Sequence, residues 1–288
     1  MNKIGIHYGY MTEEWNADLN RCISKASEFG FDVLEISISR YLGISKLEKE
    51  KIKKTAEEKK ISLSFNFGLS KEYDISSEND SIRKDGVAYL KKVLEVVHSM
   101  GGSNFSGVNY AAWGASINQK ESKKYYVERS IDSMKEVIKK AEDLGINYSI
   151  EVLNRFEQFI INTCEEAIEY IDRVGSPNLK IHLDTFHMNI EEKNIENAIL
   201  KAGNRLGHMH ICENDRNLPG NGHIPWDEVF EAIRRINYSG FIVIESFVQT
   251  GNEIGSALKV WRNLIEKEDV DIELRKSLAF VKHKLSAA

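Results

Sequence analysis

Eight short apolar runs, each followed by a longer segment of helical periodicity, constrain this chain more than any other feature. The runs lie near residues 3–8, 32–37, 62–67, 103–108, 147–152, 180–184, 206–211 and 241–246. Between them, segments such as DLNRCISKASEF, KLEKEKIKKTAEEKK, VERSIDSMKEVIKKAEDL and WDEVFEAIRRI space apolar residues by three and four, with charged residues on the opposite face. Strands that alternate with helices form a parallel sheet. Eight such units close a (β/α)8 barrel, whose usual size of about 250 residues or somewhat more suits this chain. An open doubly wound sheet is the weaker reading, since the turns after residues 8 and 37 carry no GxGxxG. No Pro-, Gly- or Ser-rich linker and no repeat of fixed period divides the chain. The expectation is one barrel domain over residues 1–288 with an extra C-terminal helix.

Side chains alternate between the faces of a strand, so the phase of each run can be read. Asn147, Ser149 and Glu151 share one face of the fifth run, and Lys180, His182 and Asp184 share one of the sixth. Leu206, His208 and His210 do so in the seventh, and Phe241, Val243 and Glu245 in the eighth. The opposite phases are apolar and should face the helices, which turns the more polar phases into the barrel. Each of these four strands then ends on a residue that can bind a metal: Glu151, Asp184, His210 and Glu245. Barrel sites are assembled at this C-terminal edge from the ends of different strands. One acid at a strand end is ordinarily a helix cap or a solvated loop residue; four in phase on consecutive strands make a site. Three carboxylates and one imidazole suit Mn²⁺, Co²⁺ or Mg²⁺ with open positions, unlike a closed structural zinc site. Such an ion can hold two substrate oxygens and stabilise charge developing on them.

A formal net charge of -5 gives no field favouring nucleic acid or an anionic membrane, so a small-molecule substrate is expected. The lysine-rich stretch SKLEKEKIKKTAEEKK is interspersed with acids and reads as a solvated helix face. No segment approaches the roughly 20 apolar residues of a membrane span, and MNKIGIHYGYMTEEWN has no signal-peptide core, so a cytoplasmic protein is expected. Cys22, Cys164 and Cys212 lack CxxC spacing and read as reduced thiols. GNGHIP (220–225) is expected to be a plain turn, with a phosphate-facing loop as the alternative. His182 and His208 should lie inside the barrel beneath the site, while His98, His223 and His283 are given no role.

EVLNRFE (151–157), LDTFHMNIEE (183–192), LGHMH with the R-x-x-P-G-x-G run (206–222) and KVWR (259–262) resemble one family. It is that of the ketose 3-epimerases, the D-tagatose and D-psicose (D-allulose) 3-epimerases of the xylose-isomerase-like TIM barrel superfamily. The resemblance covers nearly the whole chain and is most specific from Glu151 onward. It implies that Glu151, Asp184, His210 and Glu245 hold Mn²⁺ or Co²⁺, with Glu151 and Glu245 as the catalytic carboxylates. It further implies that Glu157, His187 and Arg216 hold the ketose near O1, O2 and O3, that Trp113 lines the same pocket, and that the protein is a homodimer or homotetramer.

The implied reaction removes the C3 proton of a ketose on one face and returns a proton on the other, with an ene-diolate between, so two bases on opposite sides are required. His7, where family members typically have a tyrosine, is expected to contact the sugar. His7, Asn66, Phe67, Cys212, Asn214 and the NYAAWG run depart from the family pattern and are expected to surround the far end of the sugar. The main alternative is an aldose–ketose isomerase of the same superfamily, which moves a carbonyl between C1 and C2. A DNA-repair enzyme of the AP-endonuclease type would need further metal ligands and a basic surface, against the observed charge. A catalytically silent sugar-binding barrel would have no use for carboxylates facing one another across a metal.

Overall fold

The computed structural model describes residues 2–118 and 121–286. Eight parallel strands, β1 (Ile4–His7), β2 (Val33–Ser37), β3 (Ser62–Asn66), β4 (Asn104–Ser106), β5 (Asn147–Glu151), β6 (Leu179–Asp184), β7 (Leu206–Ile211) and β8 (Ile242–Ile244), pair in chain order. The strand β8 returns to β1 and closes a (β/α)8 barrel. Helices α1 (Leu19–Phe29), α2 (Lys46–Lys59), α3 (Asp80–Ser99), α4 (Lys123–Leu144), α5 (Cys164–Val174), α6 (Thr185–Glu191), α7 (Ile195–Ala202) and α8 (Trp226–Arg235) fill the crossovers. Beyond β8 come the short α9 (Glu253–Ala257) and the expected C-terminal helix, α10 (Val270–Ser286).

Local chemistry sets these boundaries. Side-chain oxygens of Asp18, Asn79, Ser122, Thr163 and Asn194 accept N–H groups in the first turns of α1, α3, α4, α5 and α7. Helices α1, α4 and α5 stop on Gly30, Gly145 and Gly175 in the left-handed region, where a side chain would be strained. The α10 helix buries Leu274, Leu278 and Val281, and its Ser277 hydroxyl donates to Pro219 O, which ties the chain end to the loop after β7.

The register turns one phase of every strand inward. His7 lies opposite Glu35, Glu35 opposite Ser64, Ser37 opposite Asn66 and Asn66 opposite Ser106. On the other half, Glu151 pairs with His182, His182 with His208 and Asp184 with His210. The alternate phase, including Ile36, Phe65, Ile150, Leu183, Met209 and Ile244, is fully buried beneath the helices. Inward polarity therefore follows from helices covering the outside, where apolar burial stabilises the sheet. The three cysteines are free and buried, and among the described residues no helix is long and apolar enough to cross a membrane.

The GNGHIP segment is a turn wrapped around an internal carboxylate. Buried Glu213 accepts from Gly220 N at 2.7 Å, Ile224 N at 3.1 Å and Trp226 Nε1 at 2.7 Å. These donors are taken, so the loop offers them to no phosphate.

Gly86 is the other place where a missing side chain matters. It sits inside α3, where a Cβ would overlap Tyr73 O and stand 2.8 Å from Ile75 Cγ2. Alanine ordinarily gains up to about 1 kcal/mol over glycine inside a helix. Overpacking of this kind costs about 1–3 kcal/mol and should win, because the obstacle is backbone. Gly86→Ala is expected to lower the melting temperature by about 2–6 °C in calorimetry; an unchanged or raised value would contradict this packing.

Candidate active site

At the C-terminal edge, Glu151 ends β5, Asp184 ends β6, His210 is the penultimate residue of β7, and Glu245 follows β8 directly. Each offers one ligand atom, and the four atoms lie within 4.8 Å of one another. Asp184 also begins α6, its Oδ1 accepting Phe186 N at 2.9 Å. His210 Nδ1 is 3.2 Å from Glu245 Oε2 and 3.7 Å from Glu151 Oε1, yet it is buried and aligned with no hydrogen-bond partner.

Arg216 reaches in from the loop after β7. Its Nη1 donates to Asp184 Oδ2 at 2.6 Å and to Glu245 Oε2 at 2.8 Å, and its guanidinium stacks 4.1 Å above the Phe186 ring centre. Its backbone has φ of 70°, a left-handed conformation that a residue other than glycine adopts at a cost.

These contacts divide the carboxylates by charge. Burial and the neighbouring Glu245 push the Glu151 carboxyl well above the usual carboxylate range. Burial would raise Glu245 as well, but His210 and Arg216 outweigh it and hold the group below that range. His210 in turn is raised: burial opposes its charge, and Glu245 and Glu35 overcome the burial. A hard donor set, crowded negative charge and an imidazole nitrogen with no partner together fit a divalent cation.

A second group stands beside the first. His187 Nδ1 accepts from Asn154 Nδ2 at 2.8 Å and from Asn154 N at 3.3 Å, which leaves the ring proton on Nε2. That Nε2 lies 3.3 Å from Arg216 Nη2, so two N–H-bearing groups stand side by side at the same cavity. Burial keeps the His187 ring neutral by lowering its pKa. Glu157 is held by Asn154 Nδ2 at 2.9 Å and Trp113 Nε1 at 3.1 Å. His7, Asn66, Phe67 and Trp113 line a cavity of about 120 Å³ together with Glu151 and Glu245. The expected ligands, catalytic carboxylates and substrate-contacting residues thus meet in one region.

Two expected members of the sugar's far wall lie elsewhere. Cys212 is fully buried behind Asp184, with Sγ 3.7 Å from Asp184 Oδ1 and 3.5 Å from Arg216 Nη1. Asn214 accepts from His223 N in the neighbouring loop. Both follow β7, across the barrel from β3, whose end carries Asn66. His98, His223 and His283 are exposed, and His182 and His208 are buried beneath the quartet, ring against ring with His210.

Sequence reasoning missed Glu35, which is fully buried in β2 with Oε1 2.5 Å from His210 Nε2. Its signal was present: an acid on the inward phase of DVLEIS, found by the rule applied to the last four strands only. Burial would raise its carboxyl, but His208 and His210 hold it well below the usual range.

Residues 23–265 match the model of the xylose isomerase-like TIM barrel family. A D-psicose 3-epimerase of Enterocloster bolteae is 39% identical over 286 residues, covering 98% of this chain and 95% of the relative. A ketose 3-epimerase of Arthrobacter globiformis is 33% identical, covering 99% and 97%. The crystal structure of a D-psicose 3-epimerase with D-tagatose, from Clostridium cellulolyticum H10, superposes with a TM-score of 0.95 at 38% identity, covering 99% of this chain and all of that one.

The unequal carboxylates give opposite stability effects in EDTA-treated protein. Glu151, with its raised pKa, favours folding below its unfolded pKa and loses that contribution as pH rises through the folded value. Glu245, with its lowered pKa, favours folding above its unfolded pKa and loses it as pH falls through the folded value. At pH 7, Glu151→Gln is expected to raise the melting temperature and Glu245→Gln to lower it. Each change should be a few degrees, since one pKa unit is about 1.4 kcal/mol and that shifts a domain of this size by roughly 3–5 °C. Thermal scans from pH 5 to 8 test this; shifts of the same sign would refute the assignment.

Proposed function

The chain belongs to the xylose isomerase-like TIM barrel family and to the ketose 3-epimerases within it, and we propose that it inverts C3 of a free ketose such as D-psicose, D-fructose or D-tagatose. The observation that carries this is the placement of Glu151 and Glu245 around one ligand quartet with His187 and Arg216 beside it. Glu151, Asp184, His210 and Glu245 would hold a divalent ion, Mn²⁺ or Co²⁺ on the chemistry of the donors, with Mg²⁺ also compatible. When bound, that ion supplies a Lewis acid for two neighbouring sugar oxygens, so that C3 can lose its proton to leave an ene-diolate.

The chain's own groups perform the rest. Inversion needs one carboxyl ionised while its opposite number is protonated, and the environments of Glu245 and Glu151 are pushed apart in that sense. For the epimer whose C3–H faces Glu245, that carboxylate takes the proton and the Glu151 carboxyl delivers one to the other face. The reverse reaction exchanges their roles. The converging donors of His187 Nε2 and Arg216 suit an oxygen that gains negative charge in between. Glu157, kept in place by Trp113 and Asn154, can accept from a sugar hydroxyl. His7 and Asn66 place polar groups toward the remaining carbons, among aromatic neighbours Trp15 and Phe247.

Assembly into a dimer or tetramer is part of the same reading. Trp113, Phe156 and Trp261 are exposed by 43%, 78% and 74% and line one cavity of about 500 Å³ at the mouth, a concentration of apolar surface uncommon on an isolated chain. Light scattering should give the mass of two or four chains; a monomer would count against assembly.

NMR of D-psicose, D-fructose, D-tagatose and D-ribulose incubated with enzyme and Mn²⁺ or Co²⁺ tests the reaction. The C3 epimer should form, with deuterium entering C3 in D₂O, and EDTA should stop it. Glu151→Gln and Glu245→Gln should each lower kcat by about 10²–10⁴-fold while the sugar still binds. Formation of an aldose alone would instead assign the chain to the aldose–ketose isomerases.

A further inference from the structure

Behind His210 a chain of polar side chains crosses four strands. Asn104 Nδ2 in β4 donates to Ser64 Oγ in β3 at 3.1 Å and faces His208 Nδ1 in β7 at 3.2 Å. The Ser64 hydroxyl donates to Glu35 Oε2 in β2 at 2.7 Å. The same Oε2 is 2.7 Å from His208 Nε2, and Glu35 Oε1 is 2.5 Å from His210 Nε2. Every residue in this chain is at least nine-tenths buried.

The proton directions follow from what each group can do. An amide NH₂ only donates, so His208 Nδ1 accepts from Asn104 and the His208 proton sits on Nε2, on the side of Glu35. Ser64 accepts from Asn104 and passes its own proton to Glu35. An ionised carboxylate only accepts, so His210 Nε2 must carry a hydrogen. The nitrogen left over is Nδ1, the one facing Glu151 and Glu245.

We propose that Glu35 is a positioning residue that fixes the tautomer and ring angle of His210, so that Nδ1 alone is presented to the cation. The proposal rests on the metal-binding reading of the quartet. Glu35 lies on the far side of the imidazole and acts through it. Partners of this kind, which hold a ligating histidine by its other nitrogen, contribute about 10–100-fold to metal affinity. What singles out Glu35 is that one carboxylate accepts on both oxygens, from His210 Nε2 on Oε1 and from the Ser64 hydroxyl on Oε2, while His208 Nε2 stands 2.7 Å from Oε2 out of hydrogen-bond alignment. A glutamine has one accepting oxygen and one donating NH₂, so that oxygen can take the place of Oε2 toward Ser64 or of Oε1 toward His210 but not both. If His210 is the one left facing N–H, its proton moves to Nδ1 and the ligand is lost.

Mn²⁺ titration calorimetry on metal-stripped wild-type, Glu35→Gln and Ser64→Ala proteins tests this, with melting curves to confirm folding. Glu35→Gln should weaken Mn²⁺ binding about 10–100-fold, and Ser64→Ala, which removes one hydrogen bond to Glu35, about fivefold. In Zn²⁺-loaded protein with ¹⁵N-histidine, the wild-type His210 should show a protonated Nε2, and Glu35→Gln should lose or split that signal. Glu35→Gln binding Mn²⁺ within twofold of wild type, with Nε2 still protonated, overturns the proposal and leaves the metal site standing. Should Glu35→Gln not fold, wild-type affinity in Ser64→Ala overturns it. A wild-type protein that binds neither ion would remove the metal reading itself.

Discussion

The organising constraint of this molecule is the repulsion among Glu151, Asp184 and Glu245 at one edge of a closed barrel. Two unit charges about 4–5 Å apart repel by roughly 3–4 kcal/mol at an effective dielectric of about 20, and burial adds a desolvation cost to each. Relief comes from Arg216, bound to two of the three carboxylates, and from His210 between Glu245 and Glu35, while burial beside Glu245 shifts the Glu151 carboxyl upward. A barrel that tolerates such an edge needs its stability elsewhere, in the apolar outer phase of every strand.

Arg216 shows how closely the loop after β7 is matched to this edge. Its positive φ costs backbone strain, and the loop holds it there because Glu213 pins Gly220, Ile224 and Trp226 just beyond. The guanidinium can then lie flat on Phe186 while one nitrogen faces the carboxylates and the other faces His187. One guanidinium therefore meets the carboxylates through Nη1 and the His187 ring through Nη2.

Parity and periodicity carried most of the fold. Seven of the eight strands fall within the expected runs and β6 begins one residue before its run, at Leu179, because the short apolar segments had to face an outer helical layer and the alternation exposed their second face. The quartet was legible for the same reason: Glu151, Asp184, His210 and Glu245 each close a strand of readable phase. Loop geometry was not legible. The sequence does not show that Cys212 turns behind Asp184, since its direction depends on where β7 ends and on the Thr185 hydroxyl, which donates to Cys212 O at 2.6 Å. Glu35 escaped because its partners, Ser64, Asn104, His208 and His210, come from three other strands and meet only once the barrel closes.

That closure also joins two parts of the site that would otherwise be independent. Strands β5 to β8 supply the ligand quartet, and the ends of β1 to β3 supply His7, Ser37, Asn66 and Phe67 to the lining of the same cavity. A wall of this kind could vary with the sugar while the chemistry stays fixed, were it not for Glu35. Asn66 Nδ2 donates to Glu35 Oε1 at 3.4 Å, on the same oxygen that His210 Nε2 approaches. Substitutions at Asn66 that reshape the pocket thus also alter the acceptor behind His210. In this barrel, Asn66 on the cavity wall and His210 in the carboxylate cluster share one oxygen of a single buried carboxylate, so the two positions are physically coupled.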